Sequence, residues 1–345
     1  MPNVGTALGF IKPRTLLNEP HDALVLPSAM VGVEIESCVP DVFETDHWTT
    51  VSEGSLRNGG NEYIFTQPLF GADVIHALGE AERKIAPWIR SHGLSDIFDD
   101  NTSVHVHVDI RDMEYEDLGS MLQYWTLFEK MVFNAFAPNR YNNNFCCPMG
   151  LSFGQVNAVA RLFQLLDRGA HSLAFDGAGR YGAMNLQSVL DRGSIEFRLF
   201  EGAYLKEDLL RYINVLLSIK KVAMEGGENA MRPYINMKGR ALRSFITDIF
   251  GKELTEYMMY SGIYDDVKEG MELARYIANY GEFQDASAMV SNYLYRSEGQ
   301  GSSYEEVSVG SDQPLRPQTR ESIVEAMLRY RTLSEETSVE FNEEE

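Results

Sequence analysis

Three segments of this 345-residue chain repeat one design: apolar and polar side chains alternate with period two, and the polar side carries similar charged groups each time. The stretch 31–37 reads VGVEIES, 103–110 reads SVHVHVDI, and 194–200 reads SIEFRLF. Successive strand side chains point to opposite faces, so Glu34 and Glu36 share one face, roughly 6 to 7 Å apart. Val31, Val33 and Ile35 hold the other. In the second segment His105, His107 and Asp109 oppose Val104, Val106, Val108 and Ile110; in the third, Glu196 and Arg198 oppose Ile195, Phe197 and Leu199. Taken singly, each has an ordinary explanation: a solvated strand face, satisfied structural histidines, or an ion pair to a neighbouring strand.

Taken together they point to chemistry. If the three strands are neighbours in one sheet, their clustered carboxylates repel one another and resist ionisation unless cations sit among them. Carboxylates with one or two imidazoles and no thiolate suit a hard divalent ion, Mg²⁺ or Mn²⁺. Mg²⁺ commonly bridges protein carboxylates to phosphate oxygens, and Arg198 beside them offers a planar donor fork for a phosphate. The expected ligand is therefore ATP with its metal. Between the first two strands lies VSEGSLRNGGNEYIFTQPLFG, where Gly54, Gly59 and Gly60 mark turns that fold the segment back onto the sheet. Glu62, opening a strand there, is a further metal candidate; Glu53 is either another or a turn acid.

Charge and cysteine usage bound the partners and the compartment. The chain carries 51 Asp and Glu against 30 Lys and Arg, a net charge of −21, which argues against the phosphate backbone of a nucleic acid as partner. Three cysteines, with no CxxC spacing, fit a reducing compartment. There is neither a signal-peptide pattern nor an apolar run of about 18 residues. The expectation is a cytoplasmic protein that meets no membrane and acts on small-molecule or peptide substrates, with a homo-oligomer allowed.

Residues 1–28, rich in proline, read as an extended N-terminal segment. The body, 29–228, alternates strands with helices. Strands are expected at VGVEIE, NEYIFT, SVHVHVDI, YGAMNLQ and SIEFRLF. Helices are expected over 72–91, with Pro87 bending or ending the first, from an N-cap at Asp112 to 136, over 154–168 and over 207–224. Residues 229–295 read as a helical C-terminal extension, with segments at 238–250, 252–259 and 265–278. Residues 296–345 read as a linker, a short helix and an acidic tail. The fold class is α+β, with helices covering one side of the sheet.

The pieces GVEIE, SEGSLRNGGNEYIFTQPLFG, HVHV and RYGAMNLQSVLDRGSIEFRLFEG, in this order, resemble the amidoligase family. That family is a branch of the carboxylate-amine ligases related in fold to glutamine synthetase and glutamate-cysteine ligase. The resemblance spans Gly32 to Gly202 and implies a curved, mainly antiparallel sheet whose concave face holds ATP and two or more Mg²⁺ ions. It also implies amide formation through an acyl-phosphate. Carried over by position, Glu34 and Glu36 would serve two different metals, with His105 and Glu196 completing the first site and Glu62, joined by Glu53, the second. His107 and Arg198 would meet nucleotide phosphates, and Arg180 a phosphate or the substrate. Glu53 stands where the family commonly shows an aspartate. Two other readings compete: a Zn²⁺-dependent hydrolase built on His105 and His107, and a catalytically silent binding or assembly module with a ligase-like fold.

Overall fold

The computed structural model describes Val4 and residues 29–54, 56, 59–141, 143–151, 155, 158–159, 180–226 and 240–278. Most of the helix expected over 154–168, and everything expected beyond 278, lies outside these residues.

Among the described residues six strands form one antiparallel sheet: β1 (Val31–Ser37), β2 (Trp48–Ser52), β3 (Asn61–Phe65), β4 (Ser103–Asp109), β5 (Met184–Asn185) and β6 (Ser194–Glu201). Their spatial order is β2-β3-β1-β4-β6-β5, so the three patterned strands are indeed adjacent. Seven α-helices accompany them among the described residues: α1 (Gly71–His92), α2 (Leu94–Ile97), α3 (Tyr115–Phe136), α4 (Gln187–Arg192), α5 (Lys206–Gly226), α6 (Arg240–Met258) and α7 (Ile263–Ala278).

The alternating pattern explains the layering. Val31, Val33, Ile35, Val104, Val106, Val108, Ile195 and Phe197 are all buried on one face of the sheet. Helices α1, α3 and α5 cover that face. The indole of Trp48 donates to the carbonyl of Ala77 on α1 at 2.8 Å. Trp125 on α3 meets Phe197 with ring centroids 4.7 Å apart, and Tyr212 on α5 stacks on Phe200 at 4.6 Å. Helices α6 and α7 form a further layer against α3, through Phe250 on Phe128 and through Lys130 paired with Asp266 and Glu269.

Several elements differ from the sequence expectation. Strand β2 has no counterpart in it, because Trp-Thr-Thr-Val-Ser places apolar groups on both faces at a sheet edge and shows no clean alternation. The strand expected over 181–187 shrinks to β5, since Gln187 already opens α4. Helix α1 continues past Pro87 to His92, so the proline does not end it. The N-cap of α3 is Glu114, which forms a reciprocal capping box with Asp117. The break expected at position 251, by contrast, is present: Gly251, with a φ of 75°, ends one helical run before the next begins, and α6 contains both.

Candidate functional site

On the other face of the sheet, cross-strand register brings the polar side chains into rows. Glu36 lies opposite Glu62, Glu34 opposite His105, and His107 opposite Glu196, which in turn faces Asn185. A bulge interrupts the β4–β6 pairing: Val106 pairs with Phe197 but Val104 with Phe200. A bulge re-aims the side chains within it. Arg198 lies within the bulge and forms an ion pair with Glu196.

Glu34 is the centre of the cluster. One carboxylate oxygen lies 3.0 Å from Nδ1 of His105, and the other 3.1 Å from Nε2 of His107. Burial works against ionisation of Glu34, but the hydrogen bonds and charges of the two imidazoles outweigh it and hold the carboxyl well below the usual range. Glu62 responds in the opposite sense. Burial, then the charges of Glu34 and Glu36, push its carboxyl up to about 8. Glu196 is buried and takes hydrogen bonds from Arg198 and, at 2.6 Å, from Asn185. Burial opposes its ionisation too, but Arg198 and the histidines prevail and lower its pKa.

The histidines are fixed on their far sides. Ser103 lies 2.9 Å from Nε2 of His105 and donates to Glu36 at 2.5 Å. Ser194 and Ser188 lie 3.2 and 3.3 Å from Nδ1 of His107. Such outer contacts fix ring orientation in metal sites.

Two groups of three present ligand atoms that all lie within 4.8 Å of one another: Glu34, Glu62 and His105, and Glu34, His107 and Glu196. Both share Glu34. The donor set fits a divalent cation in each, since Glu34, Glu36 and Glu62 crowd together, and burial with the charges of the other two raises the pKa of Glu62. Glu36 stands next to these groups, 3.8 Å from the His105 ring. Glu53 follows β2 and adds its charge to the field at Glu62. Arg180 is exposed and lies over the ring of Tyr181, 4.9 Å from its centroid.

One cation was not anticipated. Arg192, at the end of α4, places Nη1 3.1 Å from Glu34 and 3.2 Å from Nε2 of His107. Its position in QSVLDRG carries no periodic signal; only the turn of α4 after β5 brings it back over the sheet. A cavity of about 460 Å³ opens beside these groups, with Glu34, Glu62 and His107 on one side and Met30, Phe65 and Pro68 among its apolar lining. Asp109 and Arg111, which form a two-point ion pair, also line it.

The sheet thus carries buried carboxylates and imidazoles with Arg198 among them and Arg192 at the rim. Residues 81–220 match the family model described as "Putative amidoligase enzyme". This is the family that the sequence resembles. The amidoligase match covers the end of α1, all of α2, β4, α3, β5, α4 and β6, and most of α5, and so contributes His105, His107, Arg192, Glu196 and Arg198 to the site. Glu34, Glu36 and Glu62 reach the same site from strands that precede it. The amidoligase match supports an enzyme of the ligase type. No curated protein matches the chain. Among the described residues no helix is long and apolar enough to cross a membrane.

Proposed function

We propose that the chain is an ATP-dependent carboxylate-amine ligase that uses Mg²⁺, with Mn²⁺ as a substitute. The observation that carries this reading is the placement of Glu34 between His105 and His107, within reach of Glu62 and Glu196, in a chain whose matched family is an amidoligase. Glu34, Glu62 and His105 would hold one cation, and Glu34, His107 and Glu196 another, with Glu36 and Glu53 beside the first. Bound there, the cations supply neutralisation of the triphosphate charge.

The chain's own groups would do the rest. Arg198, fixed by Glu196, and Arg192, at the rim, present guanidinium donors to phosphate oxygens, which favours the charge spread in phosphoryl transfer. Arg180 is the further candidate for a phosphate or the acid substrate. The cavity beside Glu34 would seat a substrate and hold its reacting group close. In the reaction, an oxygen of the substrate carboxylate attacks the γ-phosphorus and ADP leaves. The amine nitrogen then attacks the acyl carbon, phosphate departs with the bonding pair, and the nitrogen loses a proton to give the amide. No protein nucleophile takes part.

The test is amine-dependent ADP release across libraries of acids and amines, with products identified by mass spectrometry. Glu34→Gln and Glu196→Gln should abolish turnover while the protein stays folded. Wild-type turnover in either variant would refute the assignment. ATP-independent hydrolysis by protein holding stoichiometric Zn²⁺ would favour the hydrolase reading, and a folded protein with no affinity for Mg·ATP would favour the binding module.

A further inference from the structure

A second cluster of ligand-type side chains stands away from this site, at the edge of the sheet where β2 begins. His47 lies immediately before β2, and His76 and Glu80 lie on α1. The ring nitrogen Nδ1 of His47 is 3.2 Å from Oε2 of Glu80, and Nε2 of His76 is 3.3 Å from Oε1. All three residues offer ligand atoms within 4.8 Å of one another. Around a tetrahedral ion with bonds of about 2.0 to 2.2 Å, neighbouring ligand atoms stand about 3.4 Å apart. The two separations are close to this but run to different oxygens of Glu80, so one ion is reached with Glu80 bidentate or after a small turn of its carboxylate, within the 4.8 Å spread of the three residues.

The cluster is also built rather than incidental. His76 and Glu80 are four residues apart on a helix and share a face. Thr45 fixes the third ligand and the carboxylate together: its hydroxyl donates to Glu80 at 3.0 Å and accepts the backbone N–H of His47 and of Trp48, each at 3.1 Å. The Thr45 N–H donates to the carbonyl of Trp48 at 2.9 Å, closing the turn that carries His47. Glu80 is thus held by a neighbour that has no part in ligation, the arrangement expected around a metal. Two imidazoles with one carboxylate suit a borderline transition-metal ion better than Mg²⁺ or Ca²⁺.

We infer that His47, His76 and Glu80 form a Zn²⁺-type site, separate from the Glu34 cluster, that tethers edge strand β2 to helix α1. Three protein ligands leave one position of the ion to water on the exposed side of His76. The ion clamps the outermost strand, whose partner β3 carries Glu62.

The test titrates Zn²⁺ into the chelator-treated full chain and into His76→Ala, Thr45→Val and Glu34→Gln variants. His76 is largely exposed, so its replacement spares the core. Wild type should bind one more equivalent of Zn²⁺ than His76→Ala, and Glu34→Gln should keep that equivalent. Thr45→Val should weaken it about tenfold or more. In the Glu34→Gln background Zn²⁺ should raise the melting temperature, and adding His76→Ala should remove that rise. Equal stoichiometry in wild type and His76→Ala would overturn the inference, as would wild-type binding only at millimolar Zn²⁺, which would leave the three residues as a plain ion pair.

Discussion

Glu34 has one neighbour that competes with any cation for it. The Arg192 guanidinium sits 3.1 Å from Glu34 and 3.2 Å from His107, two of the atoms that a metal would use. Arg192 is well exposed, so the contact is worth only a fraction of a kcal/mol to about 1 kcal/mol. Arg192→Gln should therefore tighten Mg²⁺ binding about two- to fivefold by calorimetry while weakening ATP; unchanged Mg²⁺ affinity would show that the arginine does not obstruct the site. Glu129 offers a residue-scale test of stability. It is fully buried on α3, accepts the backbone N–H of Met149 and the indole N–H of Trp125, and burial pushes its pKa from 4.5 up to about 7. Between those values the folded state keeps a proton that the unfolded chain has lost, so its contribution to stability falls as pH rises through that window. The full difference is about 3 kcal/mol. In Glu129→Gln the urea-unfolding free energy, compared with wild type from pH 4.5 to 7.5, should lack this decline; parallel curves would show that Glu129 ionises freely in the fold.

Helix α7 lies against α3 so closely that Gly270 has no room for a side chain. A Cβ there would stand 2.2 Å from the carbonyl oxygen of Leu127. Alanine normally favours a helix over glycine by up to about 1 kcal/mol. The clash with backbone reverses that sign, and Gly270→Ala should destabilise by about 1 to 3 kcal/mol in urea unfolding. At the scale of elements the sequence was legible wherever one face was buried and the other polar. Strands β1, β4 and β6 were evident for that reason, and so were Glu34, His105, His107, Glu196 and Arg198. Strand β2 was not, because an edge strand with threonines on both faces has no burial asymmetry to write into its pattern. The bulge in β6 was equally silent, since SIEFRLF alternates without interruption. Arg192 was missed because its place beside Glu34 comes from the direction in which α4 returns, which no local spacing records. His47, His76 and Glu80 escaped notice because they are brought together from a turn and a helix that share no motif.

Across the whole molecule, acid exceeds base by a wide margin, and part of that excess is packed into one buried cluster. A ligand that neutralises the cluster binds only the folded chain. Mg·ATP at 100 times its dissociation constant should add about 2.7 kcal/mol of stability, seen as a rise of several degrees in the melting temperature. Glu34→Gln should lose most of that rise, and an equal rise in both proteins would place the ligand elsewhere. The strand order carries a different consequence, for synthesis. β1 is made first yet lies inside the sheet, and its neighbour β4 waits for β6, which is translated after α3 and α4. Until β6 emerges, β4 is an open edge with its histidines and Asp109 on one side and bare valines on the other. A nascent chain that pauses before Ser194 therefore exposes a sticky, half-finished sheet. Arg198, which partners Glu196 in the finished site, arrives on the same strand that closes that edge.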